Sequence, residues 1–551
     1  MARRGGRTVG RLIADALAAA GVRWAFTVPG ESFLDVLDAL PAAGIRVIAT
    51  RHEGGASFMA EAVGQLTGQP AAVLGTRAVG AANMSIGIHT ARSNSTPMVA
   101  LVGQVARSHL GREAFQESDL VATFGGLAKW ATQIDDPDTA AAQLGEGLAL
   151  MHSGRPGPVL FALPEDVLGE AVPAGVRVSV APLAAPPPDD AAVEEVLALL
   201  AAAKRPVILA GGGVSAAGAR AALVALSERL EVPVMAAWRR PTVFPNDHPH
   251  YLGMTGYGAP ANVRARLDEA DALLVIGSRL NEIATFDYRF PRPRQRWAHV
   301  DLAPRNTAVA GLRRANICVP ADAGAFLLAA LERSRTYKSP KARVATLAAD
   351  RAAYLAASSL PDDPAWAGPG VGPAHVTNVL QRVAPANTIF TTDAGNFGLW
   401  LARGFKFGAE HGFVGPTSGA MGYGLPSAIA ASLVAPDRPV IALVGDGGLA
   451  MTMSELETAV RTGARPVVLA FDNRRYGTIA MHQRNVGLAE TATGLGPMDF
   501  AAIARAMGAQ GARVTRDSEF EPALRDALAA NKAALLHLEI DPSWVTPDSH
   551  G

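Results

Sequence analysis

The sequence predicts an α/β protein made of three doubly wound parallel-sheet domains. Short aliphatic runs alternate with helical stretches through three separate blocks of the 551-residue chain. Two connections, one rich in Pro and Ala and the other polar, divide those blocks. In the last block, two of the runs end in Gly445-Asp446-Gly447-Gly448 and in Asp472-Asn473, with an amphipathic stretch between them. Strand, helix and strand of these lengths make a right-handed crossover, so both strand ends lie side by side at the carboxyl edge of a parallel sheet.

The first block, residues 1–175, opens on MARRGGRTVGRLIADALAAAGV, which imitates a secretory or twin-arginine signal. Its apolar residues fall at helical spacing and lead straight into a strand, so it reads as the first helix of the fold behind a basic leader. WAFTV, RVIAT, AAVLGT, PMVALVG and PVLFAL then follow as strands. A linker at roughly 172–190 precedes the second block, 190–333. This block has the helix AAVEEVLALLAAA and the strands PVILAGGG, ALLVIGS and RWAHVDL. Mixed sequence from 334 to 370 reads as a second connection. The third block, 371–551, carries strands TIFTTD, PVIALVG, PVVLAF and ALLHLEI. Between the middle pair, Met453, Leu456 and Val460 recur at helical spacing and Gly463 stands where a helix cap belongs.

Composition narrows the function classes. The 50 basic and 50 acidic residues cancel, which argues against nucleic acid or an anionic membrane as partner. Only six of the basic residues are Lys, a bias read as coding preference. Cys318 is alone, so no disulfide framework exists and a cytoplasmic protein is expected. No apolar run approaches the roughly 18 residues of a membrane span.

The paired strand ends carry the chemistry. Asp446 and Asn473 both offer oxygen, which suits Mg²⁺, and the glycines let a phosphate approach the backbone. The plain alternative is a tight turn whose Asp caps the next helix. Gly-Asp-Gly followed about 26 residues later by Asn resembles the diphosphate-binding motif of thiamine-diphosphate (ThDP) enzymes. The three-block plan extends that resemblance over nearly the whole chain, closest to the acetolactate synthase branch.

The resemblance implies a pyrimidine-binding, a central Rossmann-like and a diphosphate-binding domain. It also implies Mg²⁺ held by Asp446, Asn473 and the Arg475 carbonyl, with Gly445, Gly447 and Gly448 beside the diphosphate. Glu53, in RHEGGASFMAEAV, matches the carboxyl group that relays a proton to the aminopyrimidine ring. Read alone, it is equally a helix-start carboxylate, favourable by about 0.3–1 kcal/mol. The run Ser418–Pro426 (SGAMGYGLP) resembles the family's SGxxGTMGFGLP, making Gly419 the backbone acceptor for the pyrimidine and Met421 the apolar wedge beneath the cofactor. Gly395 and Asn396 match a loop close to the diphosphate.

On the substrate side, Phe115 and Gln116 lie in AFQE, as in acetolactate synthases, and Glu31 follows Pro29-Gly30 at a position that lines the family's active site. Acetolactate synthases carry Gly at that position, and simple decarboxylases a polar or acidic residue. TRAVGAAN, 76–83, departs from the usual TSGPGATN. After Asn473, Thr478 and His482 stand where acetolactate synthases usually place Met and Trp. His482 can orient a carboxylate or hydroxyl, relay a proton, or be an ordinary exposed loop residue.

The expected activity is therefore ThDP- and Mg²⁺-dependent decarboxylation of a pyruvate-like 2-oxo acid, with carboligation to a second carbonyl. Plain decarboxylation, or carboligation from another donor, remains the alternative. A non-catalytic ThDP-fold protein is expected to lose Glu53 or Asp446, and both are present. A nicotinamide dehydrogenase is disfavoured by the missing dinucleotide fingerprint. In the central block, Gly211-Gly212-Gly213 lacks both that spacing and a well-placed acidic partner, so FAD, which acetolactate synthases bind there, stays open. Family architecture implies a homodimer or homotetramer with active sites between subunits.

Overall fold

Strand β15 (Val440–Gly445) runs parallel to β16 (Val467–Asp472) at the centre of a six-stranded sheet, and every residue of both strands but Gly445 is buried. The sheet is completed by β13 (Ile389–Thr392), β14 (Gly412–Val414), β17 (Gln510–Val514) and β18 (Ala534–Glu539), in the order β14-β13-β15-β16-β18-β17. The computed structural model of the chain describes residues 7–181, 184–304, 314–360 and 370–550. The basic leader at 1–6, and 361–369 in the second connection, lie outside the described residues.

The N-terminal sheet holds β1 (Trp24–Thr27), β2 (Arg46–Ala49), β3 (Ala71–Thr76), β4 (Met98–Gln104), β5 (Trp130–Gln133) and β6 (Pro158–Pro164). Its order, β2-β1-β3-β4-β6-β5, repeats that of the C-terminal sheet strand for strand. The central sheet holds β7 (Val207–Ala210), β8 (Val234–Ala236), β9 (Tyr251–Met254), β10 (Ala272–Ile276), β11 (Arg296–Asp301) and β12 (Ile317–Pro320). It is ordered β12-β11-β10-β7-β8-β9, the dinucleotide-fold arrangement. All neighbouring strands in the three sheets are parallel, so helices cover both faces and the strands read as apolar runs.

The opening stretch is a helix, Val9–Ala19, capped by Thr8, with Leu12, Ile13 and Leu17 in the core. Helix Glu53–Thr67 of the first sheet packs on helix Gly424–Val434 of the third, joining the two in one apolar core. Phe58 meets Tyr423 edge-on at 5.2 Å there, and burial of each large side chain such as Leu425 or Ile429 contributes about 1.5–3 kcal/mol. Among the described residues no helix is long and apolar enough to cross a membrane.

Two expectations are corrected. The connection at 334–370 contains a 17-residue helix, Lys341–Ala357. Arg343 ties it down by donating to the carbonyls of Leu230, Leu200 and Ala203, and Tyr354 packs edge-on against Tyr251. Its buried face is thus partly cationic, which hides it from an apolar-periodicity reading. The single helix expected between β15 and β16 is two, Asp446–Thr452 and Glu455–Thr462, the second capped by left-handed Gly463. The break at Met453-Ser454 lets Glu455 turn inward to the backbone N–H groups of Arg51 and His52.

Candidate active site

Gly445 pairs with Phe471 across β15 and β16, so Asp446 and Asp472-Asn473 leave the sheet side by side. Asp446 begins its helix almost fully buried. The approach is possible only without side chains: a Cβ on Gly447 would lie 2.5 Å from the Tyr476 ring, and one on Gly448 2.0 Å from Asp393 Oδ2. Bare backbone of this kind lets a phosphate come close. Burial, and then the hydrogen-bonded Asp472 carboxylate, push the Asp446 carboxyl well above the usual range. Asn473 Oδ1 accepts from the Arg475 N–H at 3.2 Å, and the Arg475 carbonyl accepts from Gly477 N–H at 2.8 Å, closing a tight turn.

The facing wall hangs on Asp393, at the end of β13. Its carboxylate accepts from the N–H groups of Gly422 at 2.9 Å, Tyr423 at 3.0 Å and Ala394 at 3.1 Å. Burial pushes Asp393 up to about 6, against those N–H groups and the Arg239 charge. Arg239 donates to the Asp393 carbonyl at 3.0 Å, and burial pushes its guanidinium down to about 10. Gly419 and Gly422 take left-handed conformations, φ +73° and +79°, as the turn bearing Met421 requires. The sequence reading gave Asp393 and Arg239 no role. Asp393 was visible in its loop motif, whereas nothing in the sequence marks Arg239.

These walls enclose a cavity of about 250 Å³. Gly395, Asn396, Gly419, Met421, Gly445, Asp446, Gly447, Gly448, Asn473 and Arg475 all line it, which brings together every C-terminal cofactor and metal position expected from sequence. Trp400, Trp544 and a stacked Phe397–Phe471 pair line it as well, and sequence reasoning missed them. A neighbouring cavity of about 200 Å³ shares Gly395, Asn396, Gly419 and Thr478 with the first and contains the exposed His482. Thr478 Oγ1 donates to Asn396 Oδ1 at 2.9 Å.

Among the described residues no group of three or more His, Cys, Asp or Glu side chains could hold a metal unaided. The donors at the strand ends are of another kind: a buried carboxylate, an amide oxygen and a backbone carbonyl. They fit a hard cation whose remaining ligands come from a bound diphosphate.

Glu53, Glu31, Phe115 and Gln116 gather in the first domain, and none of them lines that cavity. Glu53 begins helix Glu53–Thr67, whose start is capped by His52 Nδ1. Its Oε2 accepts from Asn83 Nδ2 at 2.9 Å, and a Cβ on Gly80 would lie 3.3 Å from its Oε1. Arg77, absent from the sequence reading of the site, organises the others. Its guanidinium donates to the Phe115 carbonyl at 3.3 Å and to Glu165 Oε2 at 2.9 Å, and lies 3.6 Å from Glu31. Gln116 accepts at its carbonyl from Ala78 N–H, while its side-chain oxygen is buried with no donor among the described residues.

A third cavity, about 530 Å³, opens where the central sheet reverses its strand order between β7 and β10. Gly211 and Gly213 line it because the strand ends nearly touch: a Cβ on Gly211 would lie 2.3 Å from the Gly277 carbonyl. Asp301 at the end of β11, Asp322 and Arg240 line the same space. Both carboxylates have partners of their own, Asp301 in Arg155 and Asp322 in the N–H groups of Gly324 and Ala325, and neither follows the glycines at the spacing of a dinucleotide fingerprint.

Fold and site together define an α/β protein that receives a diphosphate-bearing cofactor at the carboxyl edge of a parallel sheet. Residues 7–123, 193–330 and 393–538 match the N-terminal TPP-binding, central and C-terminal TPP-binding domains of thiamine pyrophosphate enzymes. A probable acetolactate synthase large subunit from Methanocaldococcus jannaschii is 32% identical, over 97% of this chain and 92% of its own. The acetolactate synthase isozyme 2 large subunit of Escherichia coli K12 is 29% identical, over 96% and 95%. The putative thiamine pyrophosphate-containing protein YdaP of Bacillus subtilis is 28% identical, over 97% and 92%. The chain belongs to the thiamine pyrophosphate enzyme family and is an enzyme of the carboligase and decarboxylase type.

Proposed function

We propose that the chain decarboxylates a pyruvate-like 2-oxo acid and joins the remaining acyl unit to a second carbonyl, with ThDP and Mg²⁺ bound. The observation that carries this reading is the convergence of ten expected positions on one cavity at a sheet switch point. ThDP, when bound, supplies the electron sink for losing CO₂ and the carbon nucleophile for ligation. The chain's own residues hold and orient it: Asp446, Asn473 and the Arg475 carbonyl take Mg²⁺, Gly445–Gly448 face the diphosphate, and Gly419 and Met421 shape the cavity wall. Glu53 holds a proton at its carboxyl oxygen, and Phe115 and Gln116 face the substrate. The names of the relatives, acetolactate synthase large subunits, support the same reaction.

Such a site needs two copies of the chain, as a homodimer or homotetramer. Glu53, Glu31, Phe115 and Gln116 are apart from the cavity of their own chain. Phe115 is 73% exposed, and Val79, Ile86, Met451 and Ile479 are exposed as well, which supports burial of both half-sites against a second copy. Plain decarboxylation is the second reading. It is favoured by the acidic Glu31, exposed beside Arg77 at a position where simple decarboxylases carry a polar or acidic residue, and by Thr478 and His482 at the acceptor side.

Purified protein incubated with ThDP, Mg²⁺ and pyruvate should release CO₂ and give acetolactate. Acetaldehyde instead would establish the decarboxylase reading, and ThDP binding without CO₂ release would remove pyruvate as donor. We further infer that the central cavity takes an adenine dinucleotide such as FAD, supported by the bare Gly211–Gly213 turn with Asp301, Asp322 and Arg240 around it. Flavin absorbance should accompany the purified protein or appear on reconstitution; a colourless protein that takes up no FAD would refute this.

A further inference from the structure

We infer that Asp472, held by His537, is a positioning residue of the divalent-cation site, adding a second negative charge beside Asp446 and setting the turn that presents Asn473 and Arg475. The inference rests on the cofactor reading above and assigns a residue that the reading does not use. Because β15 and β16 pair Gly445 with Phe471, the residues that follow each are neighbours, and the Asp446 and Asp472 carboxylates touch. Both are almost fully buried, at 7% and 6% exposed.

Both oxygens of Asp472 are already engaged within the protein. Oδ1 accepts from Arg474 N–H at 3.0 Å, and Oδ2 lies 2.8 Å from His537 Nε2 on β18. A carboxylate only accepts, so Nε2 carries the proton and donates it. His537 is itself buried, edge-on to Phe500 at 5.3 Å. The Arg474 contact fixes a left-handed residue, φ +54°, between the two residues that face the cation. Three strands, β15, β16 and β18, thus hold one charge in place beside the Asp446 ligand.

Two buried carboxylates in contact repel one another unless a proton or a cation between them compensates. Such an arrangement trades some stability of the empty site for tighter cation binding. Residues in this outer position typically change metal affinity by about 10–100-fold when replaced.

Asp472→Asn keeps size and shape: its carbonyl can still accept from Arg474 N–H while its amide faces His537. The test is a Mg²⁺ titration of the full-length protein at saturating ThDP, read by fluorescence of Trp400 and Trp544 in the cavity wall. The half-saturating Mg²⁺ concentration should rise about 10–100-fold in Asp472→Asn. The melting temperature of the metal-free protein should stay level or rise, because the repulsion is gone. His537→Gln, which keeps a donor but loosens the hold, should give a smaller rise in the same direction. An unchanged Mg²⁺ half-saturation overturns the inference. So does a metal-free Asp472→Asn protein that melts well below the parent, since that assigns Asp472 to the fold. Failure of the parent protein itself to respond to ThDP and Mg²⁺ would sink the cofactor reading, a result distinguishable from the other two.

Discussion

Glu53→Gln should bind ThDP and Mg²⁺ as the parent does while losing at least about 10²-fold in turnover, the lower end of what a positioned proton-transfer group supplies. The substitution is nearly isosteric and leaves the surroundings intact. The side-chain oxygen can still accept from Asn83 Nδ2, which now lies 2.9 Å from Glu53 Oε2. The helix start is held independently, by His52 Nδ1 and by Glu455, whose buried carboxylate accepts from the N–H groups of Arg51 and His52. What Gln lacks is a proton to hold and return. Calorimetric titration of ThDP beside steady-state kinetics separates the two effects. Full activity in the variant would remove Glu53 from the mechanism, and loss of ThDP binding would make its role one of shape.

Legibility in the sequence followed burial. Strands such as β15, β16 and β18 are covered on both faces, so each appears as an unbroken aliphatic run. Within the three six-stranded sheets, the strands that sequence reasoning passed over are β5, β8, β9, β12, β14 and β17, and all but β8 lie at sheet edges. With three to five residues each, and a single neighbour for those at the edges, they need little apolar pattern; QGARV of β17 is mostly half-buried. The diphosphate side of the site was readable because its residues lie along three strand ends and one turn, each a local motif. Arg239, Arg77 and the Asp472–His537 pair were not. Each acts across separated segments, Arg239 on Asp393 and Arg77 on Phe115, and only the packed chain brings these together. The identical strand order of the first and third sheets was equally hidden, since topology leaves no local trace.

Gly448→Ala should abolish ThDP binding. The added methyl carbon would start 2.0 Å from Asp393 Oδ2, far inside van der Waals contact. Relief would have to come from Asp393, yet its carboxylate is fixed by Gly422, Tyr423 and Ala394 N–H groups and cannot swing aside without releasing the turn that carries Gly419 and Met421. Movement of the helix instead would shift Asp446 away from Asn473. Either response dismantles one wall of the cavity, and overpacking of this kind destabilises by about 1–3 kcal/mol, occasionally more. The double variant Gly448→Ala/Asp393→Ser tests whether this contact is the cause. If it is, the shorter side chain makes room for the methyl, so the double variant should be more stable than the sum of the two single losses predicts. It should still bind ThDP poorly, because Ser cannot hold three N–H groups at once. Strict additivity of the two losses in thermal unfolding would show that Gly448 and Asp393 act separately, and normal ThDP affinity in Gly448→Ala would remove the bare backbone from cofactor recognition.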